Sequence, residues 1–559
     1  MKTINKYFLS FGVAVAAMGF SACTDDLDLL PSDPNTTTPA TFAQDPEGYM
    51  NKVLADVYLQ FATYGANGNA AVEGFDGGMS TFQRACFILE EIPSDETNWL
   101  ATADVDYGLF QYGIVPSNNR AVFGTYSRFM INVAVCNDFI QTVQAGYFNL
   151  DESLKAKADE YVRQCKILRS GAYFYLISEF GNPPYADETC LIGSQPAQIG
   201  REQAYANVVA TLESVLAEYG DGDQTPAYGY VGKDVCEALL VKFYLNAEVF
   251  SGVPAWDKCL AHAQNIINRH KGEGFQGSGL AEKYWTLFGA SNADYACGPQ
   301  AEGPNEIIWY IPQDEEKLMS YANGDFMMQA FGGNSTPDDT WQFSSQERLN
   351  SDSPWKCATA RKPLADVFDF NEDYSECSDD RVKNWATGAD GFLATNDVLD
   401  QDHFGSNGLL PIKYTNWNYE LNGDYSAEQP ACIGHPRVGY AMIRLAEIYL
   451  SAAEAILNGA GDKATALEYV NYIRERANLD PWASTDLSLA SLREERQREL
   501  YTECVRRTDL VRYGLWVKGY NWDWKNNVRN GADFDESFAL YPIPAQFVTL
   551  GGYQQNKGY

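Results

Sequence analysis

A run from Lys155 to Phe180 places apolar residues at helical spacing for about seven turns, then meets Gly181-Asn182-Pro183-Pro184. Proline has no backbone N–H and its ring clashes with the preceding turn, so the helix must stop there. The same periodicity recurs on either side of it. It predicts helices over Tyr49–Thr63, Arg128–Val143, Arg201–Tyr219, Lys233–Phe250 and Trp256–His270. The pair formed by 238–250 and the helix after it has the helix-turn-helix texture of a tetratricopeptide repeat (TPR), although no 34-residue self-similarity is present. Helical periodicity returns over Tyr440–Leu457, Lys463–Ala477 and Leu489–Tyr513.

Between these blocks, residues 271–436 are rich in Gly, Asn, Asp, Pro and Trp, and their apolar runs are short. Glu306-Ile-Ile-Trp-Tyr-Ile-Pro312 reads as a strand there. The expected architecture is all-α. A TPR-like helix-pair scaffold (about 41–270 and 437–520) presents a loop-rich insert (about 271–436) as the ligand face, all within one domain spanning 41–559.

The N-terminus reads as a targeting segment. Lys2 and Lys6 precede an uncharged, mostly apolar stretch, Tyr7–Phe20, and then small residues. Phe20-Ser21-Ala22-Cys23 resembles a lipobox, so residues 1–22 are expected to be a lipoprotein signal and Cys23 the lipidated residue. Acyl chains would then hold the mature end on a membrane. Residues 23–40, acidic and then Pro/Thr-rich, read as an extended tether.

The charge balance restricts partners. There are 75 Asp+Glu against 41 Lys+Arg, a net charge of −34. Phosphate binding needs clustered Lys/Arg, so this balance argues against nucleic acid. A neutral ligand such as a sugar is not repelled. The twelve cysteines are scattered without a framework spacing, and Cys136, Cys165, Cys236 and Cys259 fall on apolar helical faces as buried small hydrophobes. One or two disulfides are compatible with an oxidising compartment.

Catalytic patterns are missing. The four histidines (His262, His270, His403, His435) form no HExxH, and no GxSxG or phosphate-binding glycine loop occurs. Carboxylate pairs such as Glu90-Glu91 and Asp95-Glu96 qualify for glycoside hydrolysis only by residue type. The expectation is a binding protein and not an enzyme, with no cofactor and no metal. What stands out is aromatic and polar residues in expected loops: Asp76 and Arg84 in Glu73–Arg84, Trp99 after Ser94–Asn98, Tyr321 in Met319–Gly324, and Trp355 in Ser353–Cys357. Flat rings cover the C–H faces of sugars, and charged side chains hydrogen-bond their hydroxyls.

The C-terminal motifs carry a family resemblance. Arg444-Leu-Ala-Glu-Ile-Tyr-Leu-Ser-Ala-Ala-Glu-Ala455, Tyr469–Ala477, Glu494–Gly514, Tyr541-Pro-Ile-Pro544 and Gln555-Asn-Lys-Gly-Tyr559 resemble, in order, the signature segments of the RagB/SusD family. Cys504 stands where that family usually has Gly. Their charged residues (Glu447, Glu454, Arg474, Arg476, Glu499, Arg506, Asp509, Arg512) are spaced for inter-helix ion pairs and read as scaffold.

The resemblance implies a surface lipoprotein of the outer membrane that captures glycans without catalysis and sits over a SusC-like TonB-dependent transporter. Phe82-Gln-Arg84, Glu91–Glu96, Trp99 and Trp522-Asp-Trp-Lys525 are similar to a starch-binding member, with Ala101 and Asp104 where that member has Trp and Asn. By that similarity Asp76 and Arg84 would bond sugar hydroxyls, and Trp99, Tyr321 and Trp355 would form an aromatic arc for α-glucan. Another glycan (fructan, β-glycan, host glycan), a peptide, a structural partner without a sugar site, or a helical glycoside hydrolase are the alternatives.

Overall fold

A computed structural model of the chain describes residues 42–64, 72, 80–101, 105–190, 193–220, 226–297, 302–314, 316–332, 349–351, 355, 357–368, 377–387, 409–419 and 435–559. Cys23, Asp76 and Cys432 lie outside the described residues.

Side-chain caps set the helix starts. α1 (Pro46–Ala62) begins behind Asp45, whose carboxylate accepts from the Gly48 amide at 3.0 Å. α2 (Phe82–Glu90) and the short strand β1 (Thr97–Trp99) follow. Asn119 caps α3 (Arg120–Gly146), and Asp151 caps α4 (Glu152–Tyr175). α4 loosens into a π-turn over Leu176–Phe180 and stops at Gly181, whose φ of 76° suits glycine. α5 (Arg201–Tyr219), α6 (Lys233–Leu245) and α7 (Trp256–His270) complete the first block.

The insert holds β2 (Ile307–Ile311), α8 (Asn323–Ala330), β3 (Ala358–Ala360) and short 3₁₀ turns. The second block contains β4 (Tyr440–Arg444), α9 (Leu445–Ala455), α10 (Lys463–Arg476), α11 (Leu489–Leu500) and α12 (Arg506–Arg512).

Successive helices pack as pairs, α3 on α4, α6 on α7 and α9 on α10, and α7 also packs on α9. That last contact closes the scaffold across the insert. β2 and β4 pair antiparallel, with Ile311 opposite Tyr440 and Ile307 opposite Arg444. Trp309 of β2 lies on α4 at Gly171, where a Cβ would come within 2.7 Å of the indole. One apolar cluster unites both blocks and the insert; a smaller one (Leu510, Trp516, Trp522, Phe534) lies under the C-terminal tail. No helix among the described residues is long and apolar enough to cross a membrane.

Three sequence expectations need correction. The helix expected over Tyr440–Leu457 starts at Leu445, because Tyr440–Arg444 is used as a strand and all five of its residues are buried. The helix expected over Leu489–Tyr513 is two helices, broken where Thr502 and Cys504 take φ near +60°. The Gly-rich reading of 73–84 missed α2, whose nine residues are all buried. At nine residues α2 spans only about two and a half turns, too few for a helical period to be read from the sequence. Cys86, Cys136, Cys165, Cys190, Cys236, Cys259, Cys297 and Cys504 carry free thiols, and Cys136, Cys165, Cys236 and Cys259 are buried, as expected of small hydrophobes.

The family-signature charges form a buried network. Glu499 receives Arg444 at 2.9 Å, Arg476 at 2.5 Å and Arg381 at 3.3 Å. Arg444 also reaches Glu306 and Glu503. Asp509 joins Arg496 to Arg512, which also binds Glu454, and Lys242 of α6 holds Glu447 of α9 at 2.6 Å.

Candidate glycan-binding face

α2, the β1–β3 ribbon and α8 converge below one surface. In the ribbon Thr97 pairs with Ala360 and Trp99 with Ala358. The N-terminus of α8 is held on α2. The Asn323 amide donates to Gln83 Oε1 at 3.0 Å, and Asn323 Nδ2 donates to the Ala62 carbonyl at 2.8 Å. The far end of α8 fixes the next segment. Its Gln329 and Ala330 carbonyls accept from the Trp355 and Cys357 amides, both at 2.8 Å.

Three rings meet over this floor. Tyr321, 49% exposed, lies 6.0 Å from Trp355 at an interplanar angle of 54°, and 4.5 Å from the imidazole of His435 at 47°. Trp355 is half-buried and contacts Phe326 of α8 at 6.2 Å. The rings are therefore not coplanar.

Beneath them Arg84 of α2 holds the Tyr321 carbonyl through Nη1 at 3.1 Å. Its guanidinium lies 4.4 Å over Phe326 and 5.8 Å from both Tyr107 and Trp355. Arg84 Nε is buried without a partner. His435 Nδ1 lies 3.0 Å from Oδ2 of Asp325, a carboxylate 1% exposed. The hydrogen bond to Asp325 raises the imidazole pKa above its ordinary value, outweighing burial. Burial in turn raises the Asp325 carboxyl, against the opposing pull of His435.

Of the expected site residues, the structure brings Arg84, Tyr321 and Trp355 together. Trp99 departs from its expected place. It is 1% exposed and lies below the rings, 5.5 Å from Tyr107 and 6.2 Å from Phe326. All three residues of β1 are buried, so Trp99 supports the floor and offers no face to a ligand. His435, Asp325, Phe326 and Tyr107 escaped the sequence reading. His435 and Asp325 are 110 residues apart, and neither lies in a motif.

The nominal carboxylate pairs are interior groups. Glu90 accepts from the Thr508 amide at 2.8 Å, Glu91 from the Cys504 amide at 2.7 Å and Glu96 from the Thr502 amide at 3.2 Å. Both oxygens of Asp95 accept from the Nε–Nη2 edge of Arg506, each at 2.7 Å. All four carboxylates are at most 1% exposed, so they line no cleft in which a glycosidic bond could sit between them.

Residues 409–559 match the model of the SusD family. Over its whole length the chain is 26% identical to the starch-binding protein SusD of Bacteroides thetaiotaomicron, covering 99% of that protein. The chain is thus similar to the SusD family, through the family model in its C-terminal part and through SusD itself along its length. A SusD-like protein of Formosa agariphila is 24% identical over 64% of both chains. Among solved structures, surface glycan-binding protein A of Bacteroides fluxus superimposes with a TM-score of 0.65 at 18% identity, covering 92% of this chain and 99% of its own. Surface glycan-binding protein A of Bacteroides thetaiotaomicron in complex with laminarihexaose gives 0.62 at 18% identity, over 91% and 99%. At such identity these neighbours establish the SusD-like fold alone.

Proposed function

We propose that this chain captures a neutral oligosaccharide, α-glucan of the starch type, on the Tyr321–Trp355–His435 surface, without catalysis. The observation that carries this reading is the trio of rings, Tyr321 exposed and Trp355 and His435 partly buried, inclined by 54° and 47° over the Arg84 floor. Inclined rings make a curved surface, which suits the helical turn of an α-glucan better than a straight chain. Tyr321 and Trp355 cover sugar faces, and His435 and the outer edge of Arg84 meet hydroxyls. Asp76 adds a further polar contact in the same reading. Each stacked ring contributes about 0.5–1.5 kcal/mol beyond area burial. Two or three such contacts give micromolar-to-millimolar affinity, which fits capture followed by release. In the same proposal Cys23 anchors the chain in the outer membrane, and a SusC-like TonB-dependent transporter receives the sugar.

Native electrophoresis of the chain starting after Cys23, in gels with and without amylopectin, tests the ligand. Retardation is expected, and its loss in Trp355→Ala. Free migration in amylopectin with retardation in laminarin would move the ligand to β-glucan, the class bound by one structural neighbour. Release of reducing sugar from either polymer would overturn the non-catalytic reading.

A further inference from the structure

Asp234, His270 and Cys297 meet at a junction that the glycan face does not use. Asp234 is the second residue of α6, His270 the last of α7, and Cys297 follows the 3₁₀ turn Asn292–Tyr295 at the start of the insert. One carboxylate oxygen, one imidazole nitrogen and the thiol sulfur all lie within 4.8 Å of one another. His270 Nε2 is 3.0 Å from Asp234 Oδ2. The Cys297 backbone is fixed by its amide bond to the Ile307 carbonyl at 3.0 Å, while its Sγ makes only a long contact, 3.7 Å, to the Asn305 carbonyl.

We propose that these three residues form a divalent transition-metal site of the zinc type, with one coordination position left open. Oxygen, nitrogen and sulfur donors together are the set zinc takes in proteins, and three protein ligands plus a water complete a tetrahedron. The spacing needs only a small contraction to reach the separations of such a tetrahedron.

The one neighbouring cation has somewhere else to go. Arg269 pairs with Asp234 at 2.5 Å, but the same Nη2 also reaches Glu237 Oε2 at 2.6 Å. Asp234 can therefore turn to a metal without stranding a guanidinium. All three residues are partly exposed, which leaves a path for the ion. A metal here would tie the first loop of the insert to the ends of α6 and α7.

The test is titration of the chelator-treated mature chain with Co2+, followed by optical spectroscopy. One equivalent is expected to produce a thiolate-to-cobalt charge-transfer band, which Zn2+ bleaches. Cys297→Ser should abolish the band, and His270→Gln should weaken Co2+ binding by more than about tenfold, the scale on which even outer partners of a metal act. Helical circular dichroism should be unchanged in both. Absence of the band, or its persistence in Cys297→Ser, overturns the site. Should that variant fail to fold, alkylation of Cys297 in the unaltered chain decides, read by peptide mass with and without Zn2+. Slowing by Zn2+ supports the site, and an equal rate overturns it.

Discussion

His435 Nδ1 and Asp325 Oδ2, 3.0 Å apart, join a partly buried ring of the proposed glycan face to the buried start of α8. Since Asp325 raises the imidazole pKa, the folded state holds its proton more tightly than the unfolded chain. This stabilisation is complete below the ordinary histidine value and is lost as pH rises through the raised folded value. Glycan affinity is expected to fall over the same rise in pH. Asp325→Asn should return the His435 titration, followed by NMR, toward about 6.5. A titration unmoved by that change would refute the coupling.

Trp355 and Trp99 should separate in mutation. Trp355→Ala removes a half-buried ring from the surface and is expected to abolish amylopectin retention with little change in unfolding midpoint. Trp99→Ala empties a buried site and should cost about 3–5 kcal/mol in denaturant unfolding. Equal stability of the two variants would show that Trp99 is not part of the floor.

Glu499 carries three guanidinium groups. Burial opposes its ionisation, but Arg476, Arg444 and Arg381 hold its carboxyl down at about 2. Its contribution is present above the ordinary glutamate value of 4.5 and is lost as pH falls through about 2. Glu499→Gln leaves buried cations underpaired and is expected to cost about 3–5 kcal/mol. Urea unfolding at neutral pH measures the cost, and a shallower stability loss on acidification below 4.5 is the second readout.

Glu96 behaves oppositely. Burial pushes its carboxyl up to about 7, with Asp95 adding to the rise and Arg506 opposing it. The unfolded carboxyl ionises near 4.5, so stability from this group is complete below that value and declines as pH rises to about 7. Glu96→Gln should flatten that part of the midpoint-against-pH curve. A curve of unchanged slope would contradict the assignment.

Helices with one wet face were legible in the sequence. Arg201–Tyr219 and Trp256–His270 match the expected ends residue for residue, and the strand at 306–312 is present as Ile307–Ile311. The family-signature charges were readable as scaffold because their helical spacing is regular. What escaped carries no readable local signal. α2 is only nine residues long, β4 runs directly into α9, and the deeper burial of Trp99 than of Trp355 is set by tertiary packing. His435 with Asp325, and Asp234 with His270 and Cys297, are assembled by the tertiary fold from distant positions. No local spacing encodes such groups, and the expectation of no metal rested on local motifs alone.

The break between α11 and α12 has a mechanical consequence. Thr502 and Cys504 adopt left-handed backbone that L-residues enter at a cost of about 1–2 kcal/mol, and Cys504 stands where the family resemblance places Gly. The Cys504 sulfur sits 3.2 Å from the Tyr440 hydroxyl, which ties this bend to β4. The bend aims the Thr502 and Cys504 amides at Glu96 and Glu91, and the Thr508 amide of α12 donates to Glu90 at the end of α2. The end of α2 and the segment leading to β1 are thus latched to the C-terminal helices at three points, and neither can shift against them without breaking those bonds. Arg84 is thereby geared to the C-terminal helices, so a pull on a ligand at the proposed face would load the scaffold and not a free loop.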